Sequence, residues 1–289
     1  MPDNLPPVFA GFSRLPQSQL VALSGPDALA FAQAQFASDV LALADGHWQW
    51  SAWLTAKGRV TAVFQLLRID DGQLLLVLND GQADDFAAQL QRFVFRRKLS
   101  IGRRDDLAVA GSFTAPELAT GAALAQLADG ALELDAGGNE ALPRTLRLAP
   151  ATALADASDA DIALAWRQSD LRYGLPRLDP SQREQWTPQQ LGLDRLAAYS
   201  VKKGCYPGQE IVARTHFLGK AKRSLQLLQI AEGAEAGGEV RQGDAVIGTL
   251  ASVAGNLALA VLPLEIPAGP LQVGGAEATP LPLLDGLAR

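Results

Sequence analysis

The spacing of apolar positions changes character along the chain: helix and strand periods mix before residue 220, and short strand-like runs follow. The first clear element opens at Ser24-Gly25-Pro26-Asp27, where a serine with an acid three residues later has the form of a capping box. Leu29, Ala32, Phe36 and Val40, three and four apart, predict one buried helical face. In His47-Trp48-Gln49-Trp50-Ser51-Ala52-Trp53-Leu54 the period is two: Trp48 and Trp50 share one face of a strand, and His47, Gln49, Ser51 and Trp53 the other. Residues 55–59 read as a loop. Two further strands, VTAVFQLLRI and QLLLVL, are joined at Asp70-Asp71-Gly72, a hairpin signal. A helix is predicted from Ala83 to Leu99, with Phe86, Leu90, Phe93 and Val94 inward.

Residues 107–165 are rich in Ala and Leu and carry no motif. Regular signals return at IALAWRQSDLRYGLPRLDP. Thr187-Pro188 predicts the start of a helix running through LGLDRLAAYSV, with Lys202 and Lys203 in its last turn and Gly204 as its stop. A new helix is predicted near Gly208, with Glu210 in its first turn. From Arg223, the runs SLQLLQI, AVIGTLASV, LALAVLP and PLQV alternate with Gly and Pro, the pattern of a small antiparallel sheet or barrel, so a domain boundary is placed near residue 220.

Composition narrows the chemistry. With 289 residues, 48% hydrophobic and 19% charged, the chain is core-forming and long enough for about two domains. The net charge of −6 argues against a general duplex-DNA binder, which neutralises phosphates with a basic surface. A single cysteine excludes an internal disulfide and a self-contained cysteine-ligated metal site. No apolar run reaches the length of a membrane span, and the N-terminal stretch lacks the form of a secretory signal, so a cytoplasmic protein, expected to be monomeric, is read here.

That cysteine lies in VKKGCYPGQEIVARTHFLGKAKRSL. Lys202 and Lys203 precede it and a helix start follows; cations and a helix N-terminus both favour thiolate, so the thiol is expected below the ~8.5 of a free cysteine. The alternative is a buried structural cysteine, a frequent fate of a free thiol. The residues Lys203, Gly204, Cys205, Tyr206, Gly208, Gln209 and Glu210 spell K-G-C-Y-x-G-Q-E. This resembles the hallmark of the YgfZ family of folate-binding proteins, relatives of the glycine-cleavage T-protein. Gly174-Leu175-Pro176, Val212-Ala213-Arg214, Lys222-Arg223, Asp39-Val40 and Lys57-Gly58-Arg59 extend the resemblance over most of the chain.

The resemblance implies an α+β, T-protein-like fold of several lobes: two mixed α/β lobes in residues 1–220 and a small antiparallel β-barrel in 221–289. It implies tetrahydrofolate, or another reduced folate, in a central opening, and an accessory role in making or repairing iron–sulfur enzymes, including tRNA-modifying ones. Cys205 and Lys203 are then the reactive pair, and Tyr206, Gln209, Glu210, Arg214 and Arg97 the folate contacts. One thiol cannot hold a cluster that takes about four cysteines, so iron–sulfur enzymes enter as client partners. The T-protein carboxylate expected after the first hairpin loop is missing: GRVTAV carries Thr61 and Ala62, with no acid until Asp70. A folate-dependent one-carbon transferase or demethylase, and a non-catalytic folate-sensing scaffold, stand as the alternatives.

Arg92, Arg96, Arg97, Lys98, Arg103 and Arg104 form a basic segment. It suits a glutamate tail, RNA phosphate, or simply a solvated helix face. The tryptophans can stack on a pterin or fill a core. His47 and His216 read as hydrogen-bonded spectators, and GKAKRS is not a P-loop, since Arg214 stands where its first glycine belongs.

Overall fold

The computed structural model describes residues 11–138, 142–154, 159–219, 221–266 and 268–289. The N-terminal stretch 1–10, parts of the 107–165 segment, and Lys220 within GKAKRS lie outside the described residues. Three β-bodies organise the chain. The first is a sheet of β2 (Gln19–Ser24), β3 (His47–Leu54), β4 (Val60–Asp70), β5 (Gln73–Leu78) and β6 (Ser100–Arg103), in the order β3-β4-β5-β2-β6. Helices α1 (Ala28–Gln35) and α2 (Ala83–Gln91) cover one of its faces. The second is a sheet of β1 (Ser13–Arg14), β7 (Leu107–Ser112), β8 (Ala125–Gln126), β9 (Leu132–Asp135) and β10 (Thr145–Pro150), in the order β1-β7-β10-β9-β8. After it come α3 (Ala160–Arg172) and α4 (Gln209–Phe217). The third is a closed antiparallel barrel of β11 (Arg223–Gln229), β12 (Glu239–Gln242), β13 (Ala245–Ala254), β14 (Leu257–Pro263), β15 (Leu271–Val273) and β16 (Ala276–Leu281). The α+β class and the C-terminal barrel stand as expected. No helix among the described residues is long and apolar enough to cross a membrane.

The period-two reading of β3 explains how the first sheet serves two cores. Trp48 and Trp50, both buried, face a core shared with the second sheet, α3 and the outer side of the barrel; Trp53 faces α1 and α2 on the other side. The tail after the barrel returns to the tryptophans: Trp50 Nε1 donates to Leu287 O at 2.8 Å, and the Arg289 guanidinium lies 5.2 Å from the Trp48 ring centre. These rings are therefore core groups, with none left to stack on a pterin.

A buried ion cluster sits where the three bodies meet. Asp170 of α3 accepts from Arg144 Nη1 and from Arg177 Nη1, each at 2.7 Å. Arg177 Nε reaches Asp80, just past β5, at 2.6 Å, its other nitrogen donates to Asn79 O, and its backbone N–H donates to Ser252 of β13 at 2.9 Å. Arg144 also lies under the rings of Trp166 and Tyr173. This cluster thus ties the end of β5, the segment leading into β10, α3 and the barrel together.

Several predicted helices are shorter or absent. α1 stops at Gln35, because Phe36 pairs with Trp53 and Ala37 N–H donates to Ala52 O; Phe36 and Val40 are buried, but beyond the helix. The Ser24–Asp27 capping box does not form: Asp27 instead accepts from the Lys98 backbone N–H at 2.6 Å. α2 ends at Gln91 rather than Leu99. The chain must turn there, through Arg96 at φ +54°, so that Ser100 can pair with Ser24, and Phe93 is left half-exposed. Residues 187–197 form successive turns, not a helix: Leu191 and Leu193, two apart, both point inward, and Ala197 takes φ +54°, outside the right-handed helical region.

Candidate functional site

α4 begins where the sequence predicted, with Gly208 as its N-cap at φ +79°. That glycine is required on two counts. Its backbone is left-handed, and a Cβ there would lie 2.6 Å from both Gly58 Cα and Thr55 O. A Cβ on Gly58 would in turn meet the Ile211 side chain at 2.8 Å. The fold therefore brings together two motifs far apart in sequence, Lys57-Gly58-Arg59 and the loop ending in Gly208, by backbone contact that only glycine permits.

Within that loop Lys203 is buried, and its ammonium donates to Gln33 O, Phe36 O and Ser38 O at 2.7, 2.6 and 2.7 Å. These carbonyls lie at and beyond the C-terminus of α1, where helix carbonyls lack partners and the dipole favours a cation. Lys203 was expected in the last turn of its own helix and beside the thiol. It instead caps a helix some 170 residues earlier in the chain, because the 187–201 segment is turned rather than helical. Burial pushes its ammonium down to about 8, with Asp39 opposing, so it remains a cation at neutral pH. Its ring neighbour Tyr206 is buried, donates its hydroxyl to Ser200 O at 3.0 Å, and is pushed by burial up to about 12, with Tyr199 adding to the shift. Gln209 Nε2 turns back to Lys203 O at 3.4 Å.

Lys203→Ala is expected to cost about 3 kcal/mol or more of folding stability, since it strips three carbonyls of their shared donor. The pH dependence follows from the shift. Between about pH 8 and 10.5 the unfolded chain binds more protons at this lysine than the native one, so its contribution to stability rises with pH across that window. Urea denaturation of wild type and Lys203→Met across that pH range checks both the loss and the disappearance of the rise.

Cys205 is exposed, as is Gly204 beside it, where a Cβ would have open space. The loop's other fixed residues Lys203, Tyr206, Gly208 and Gln209 point into the fold and hold it; the thiol points out. Glu210 and Arg214 lie exposed on α4, and Arg97 lies exposed on the segment after α2. Of the five residues expected to contact folate, Tyr206 and Gln209 are bonded within the loop, and Glu210, Arg214 and Arg97 lie on the surface. His47 Nδ1 meets Asp45 O at 2.9 Å and His216 packs on Phe217, consistent with spectator roles.

A different cavity, of about 340 Å³, lies between α3 and the segment leading into β2. Leu15, Pro16, Ala163, Leu164 and Trp166 form its apolar walls, Gln17 and Ser18 a polar edge, and Arg167 and Arg177 its cations. Arg177 is fully engaged in the ion cluster. Arg167 donates through Nη2 to Val253 O at 3.3 Å, while its buried Nε has no partner among the described residues. An apolar slot of this size with few polar groups and a guanidinium among its lining residues is suited to a flat ligand bearing a carboxylate. Sequence reasoning missed this site because Arg167 belongs to no motif and its neighbours come from two distant segments.

Residues 222–283 match the family model for the C-terminal β-barrel domain of CAF17. A "tRNA-modifying protein YgfZ" from Cronobacter sakazakii is 30% identical over 225 residues, covering 72% of this chain and 68% of the relative. The chain belongs to the YgfZ family. Another YgfZ protein, from Aliivibrio fischeri, is 26% identical over 288 residues, covering 88% of this chain and 85% of its own. Among solved structures, the aminomethyltransferase T of the glycine cleavage system from Bartonella henselae superposes with a TM-score of 0.73 at 19% identity, over 96% of this chain and 86% of that one. The T-protein-like fold follows from that likeness.

Proposed function

We propose that this protein is a reduced-folate-binding accessory factor for iron–sulfur enzymes of tRNA modification, acting through Cys205 as a nucleophile or a single transient ligand. The observation that carries the reading is the division of roles in residues 203–210: the buried and bonded Lys203 and Tyr206 fix the loop while the thiol is presented to solvent beside a side-chain-free Gly204. The names of the relatives, which describe tRNA-modifying proteins, supply the class of client.

The α3 cavity fits the folate. Trp166, Leu15 and Leu164 would wall the pterin and benzoyl rings, Gln17 and Ser18 would meet the polar ring edge, and the Arg167 guanidinium would meet a glutamate carboxylate. Bound there, a reduced folate supplies a carried one-carbon unit. The chain's own residues favour binding over transfer. Asp80, the carboxylate beside Thr61 and Ala62, is occupied on both oxygens, by Arg177 Nε at 2.6 Å and Leu178 N–H at 2.8 Å. No free carboxylate is offered there to move a proton.

Calorimetric titration with tetrahydrofolate is the test. Binding is expected in the micromolar to sub-millimolar range, on the order of −5 to −8 kcal/mol, and Arg167→Ala should weaken it about tenfold. Absence of heat at millimolar folate, or full affinity in Arg167→Ala, contradicts the assignment of the cavity.

A further inference from the structure

A second open cavity, of about 370 Å³, runs beside α4 and the entry to the barrel, lined by Arg59, Thr187, Gln190, Thr215, Ala221, Lys222 and Arg223. No carboxylate lines it, although the chain as a whole carries a net charge of −6. Its three cations come from two distant segments, and among the described residues none of them makes an ion pair. Arg59 donates through Nη1 to Gln185 O at 2.7 Å and to Gln190 Oε1 at 3.5 Å; Arg223 donates through Nη1 to Ile247 O at 2.5 Å. Each guanidinium is therefore held by neutral acceptors through one nitrogen, with no partner for its other N–H groups among the described residues. Lys222 is exposed, and its ammonium has no hydrogen-bond partner among the described residues. Gln190 adds a donor: its Oε1 accepts from Arg59, from the Thr187 N–H and from the Thr187 hydroxyl, which fixes the amide orientation and leaves Nε2 free.

Clustered like charges repel one another unless an anion joins them, and anchored guanidinium forks are already oriented for carboxylate or phosphate oxygens. We propose that this cavity binds an oligoanion, a ligand presenting two or more adjacent carboxylate or phosphate groups. A single oxyanion would leave most of the volume and at least one cation unused. Thr215 sits six residues into α4, about 9 Å along the helix from its start, so the bound anion would lie on the same helix that the Cys205 loop opens.

The test uses probes without a pterin, so its failure leaves the folate reading untouched. Calorimetry with the intact protein is run with inorganic tripolyphosphate and with γ-linked triglutamate at low and at physiological salt. At least one probe is expected to bind, more weakly at higher salt, and to lose about tenfold in affinity in Lys222→Ala and in Arg223→Gln. Binding of tripolyphosphate alone identifies a phosphate-bearing ligand, and binding of triglutamate a carboxylate tail. The Lys222 side chain makes no bond among the described residues, and its backbone carbonyl, which accepts from the Leu264 N–H, is untouched by the change, so its variant folds as the wild type does. Absence of binding by both probes at millimolar concentration and low salt, or binding unchanged by the Lys222→Ala variant, overturns the proposal.

Discussion

Asp170→Ala is expected to cost about 3–5 kcal/mol of folding stability, the usual loss when one partner of a buried ion pair is removed. The side chains of Arg144, Asp170 and Arg177 are each 1–3% exposed, and Asp170 is the carboxylate that both guanidinium groups share. Without it the Arg144 side chain keeps, among the described residues, its bond to Ala136 O and its ring contacts, while the Arg177 side chain keeps Asp80 and Asn79. The loss falls where the bodies join, so the barrel should uncouple and unfolding should lose its single transition. An exposed pair gives the contrast: Arg147 with Glu117, at 3.2 Å, should contribute less than about 1 kcal/mol when Glu117 is replaced. Urea denaturation followed by tryptophan fluorescence measures both. A loss below about 1 kcal/mol in Asp170→Ala would mean that the apolar core alone joins the bodies.

What the sequence made legible follows from how local each signal is. The alternating tryptophans of β3, the Asp70–Gly72 hairpin, the start of α4 at Gly208 and the run of barrel strands are set by neighbours in the chain, and each appears in place. The helix expected over 83–99 forms only as far as Gln91 and the one expected over 187–201 does not form, both for non-local reasons. Ser100 must reach the edge of β2, and Leu191 and Leu193 must both enter the core. Lys203 shows the same limit at the site. Its position beside Cys205 in sequence suggested an electrostatic partner for the thiol, whereas its side chain is drawn to carbonyls that only the folded α1 exposes. The ion cluster and the Arg167 cavity gather residues from separate lobes, and no spacing along the chain announces them.

The loop geometry makes Cys205 and its flanking residues separable by mutation. Cys205→Ser replaces an exposed atom with one of similar size and touches none of the bonds of Lys203, Tyr206 or Gln209. Its stability should match wild type within about 0.5 kcal/mol, as for other exposed substitutions, and its affinity for tetrahydrofolate should be unchanged. Activity in the cell, in contrast, should be lost. Lys203→Ala should lose activity together with stability, because the loop that presents the thiol loses its anchor.

The most direct measurement is complementation of a bacterial host lacking its own YgfZ protein, scored by the level of tRNA modification, with Cys205→Ser compared to wild type at equal soluble abundance. The account predicts wild-type restoration by the native chain and none by Cys205→Ser. Full restoration by Cys205→Ser would contradict it, and would leave a folate-responsive scaffold with an incidental thiol.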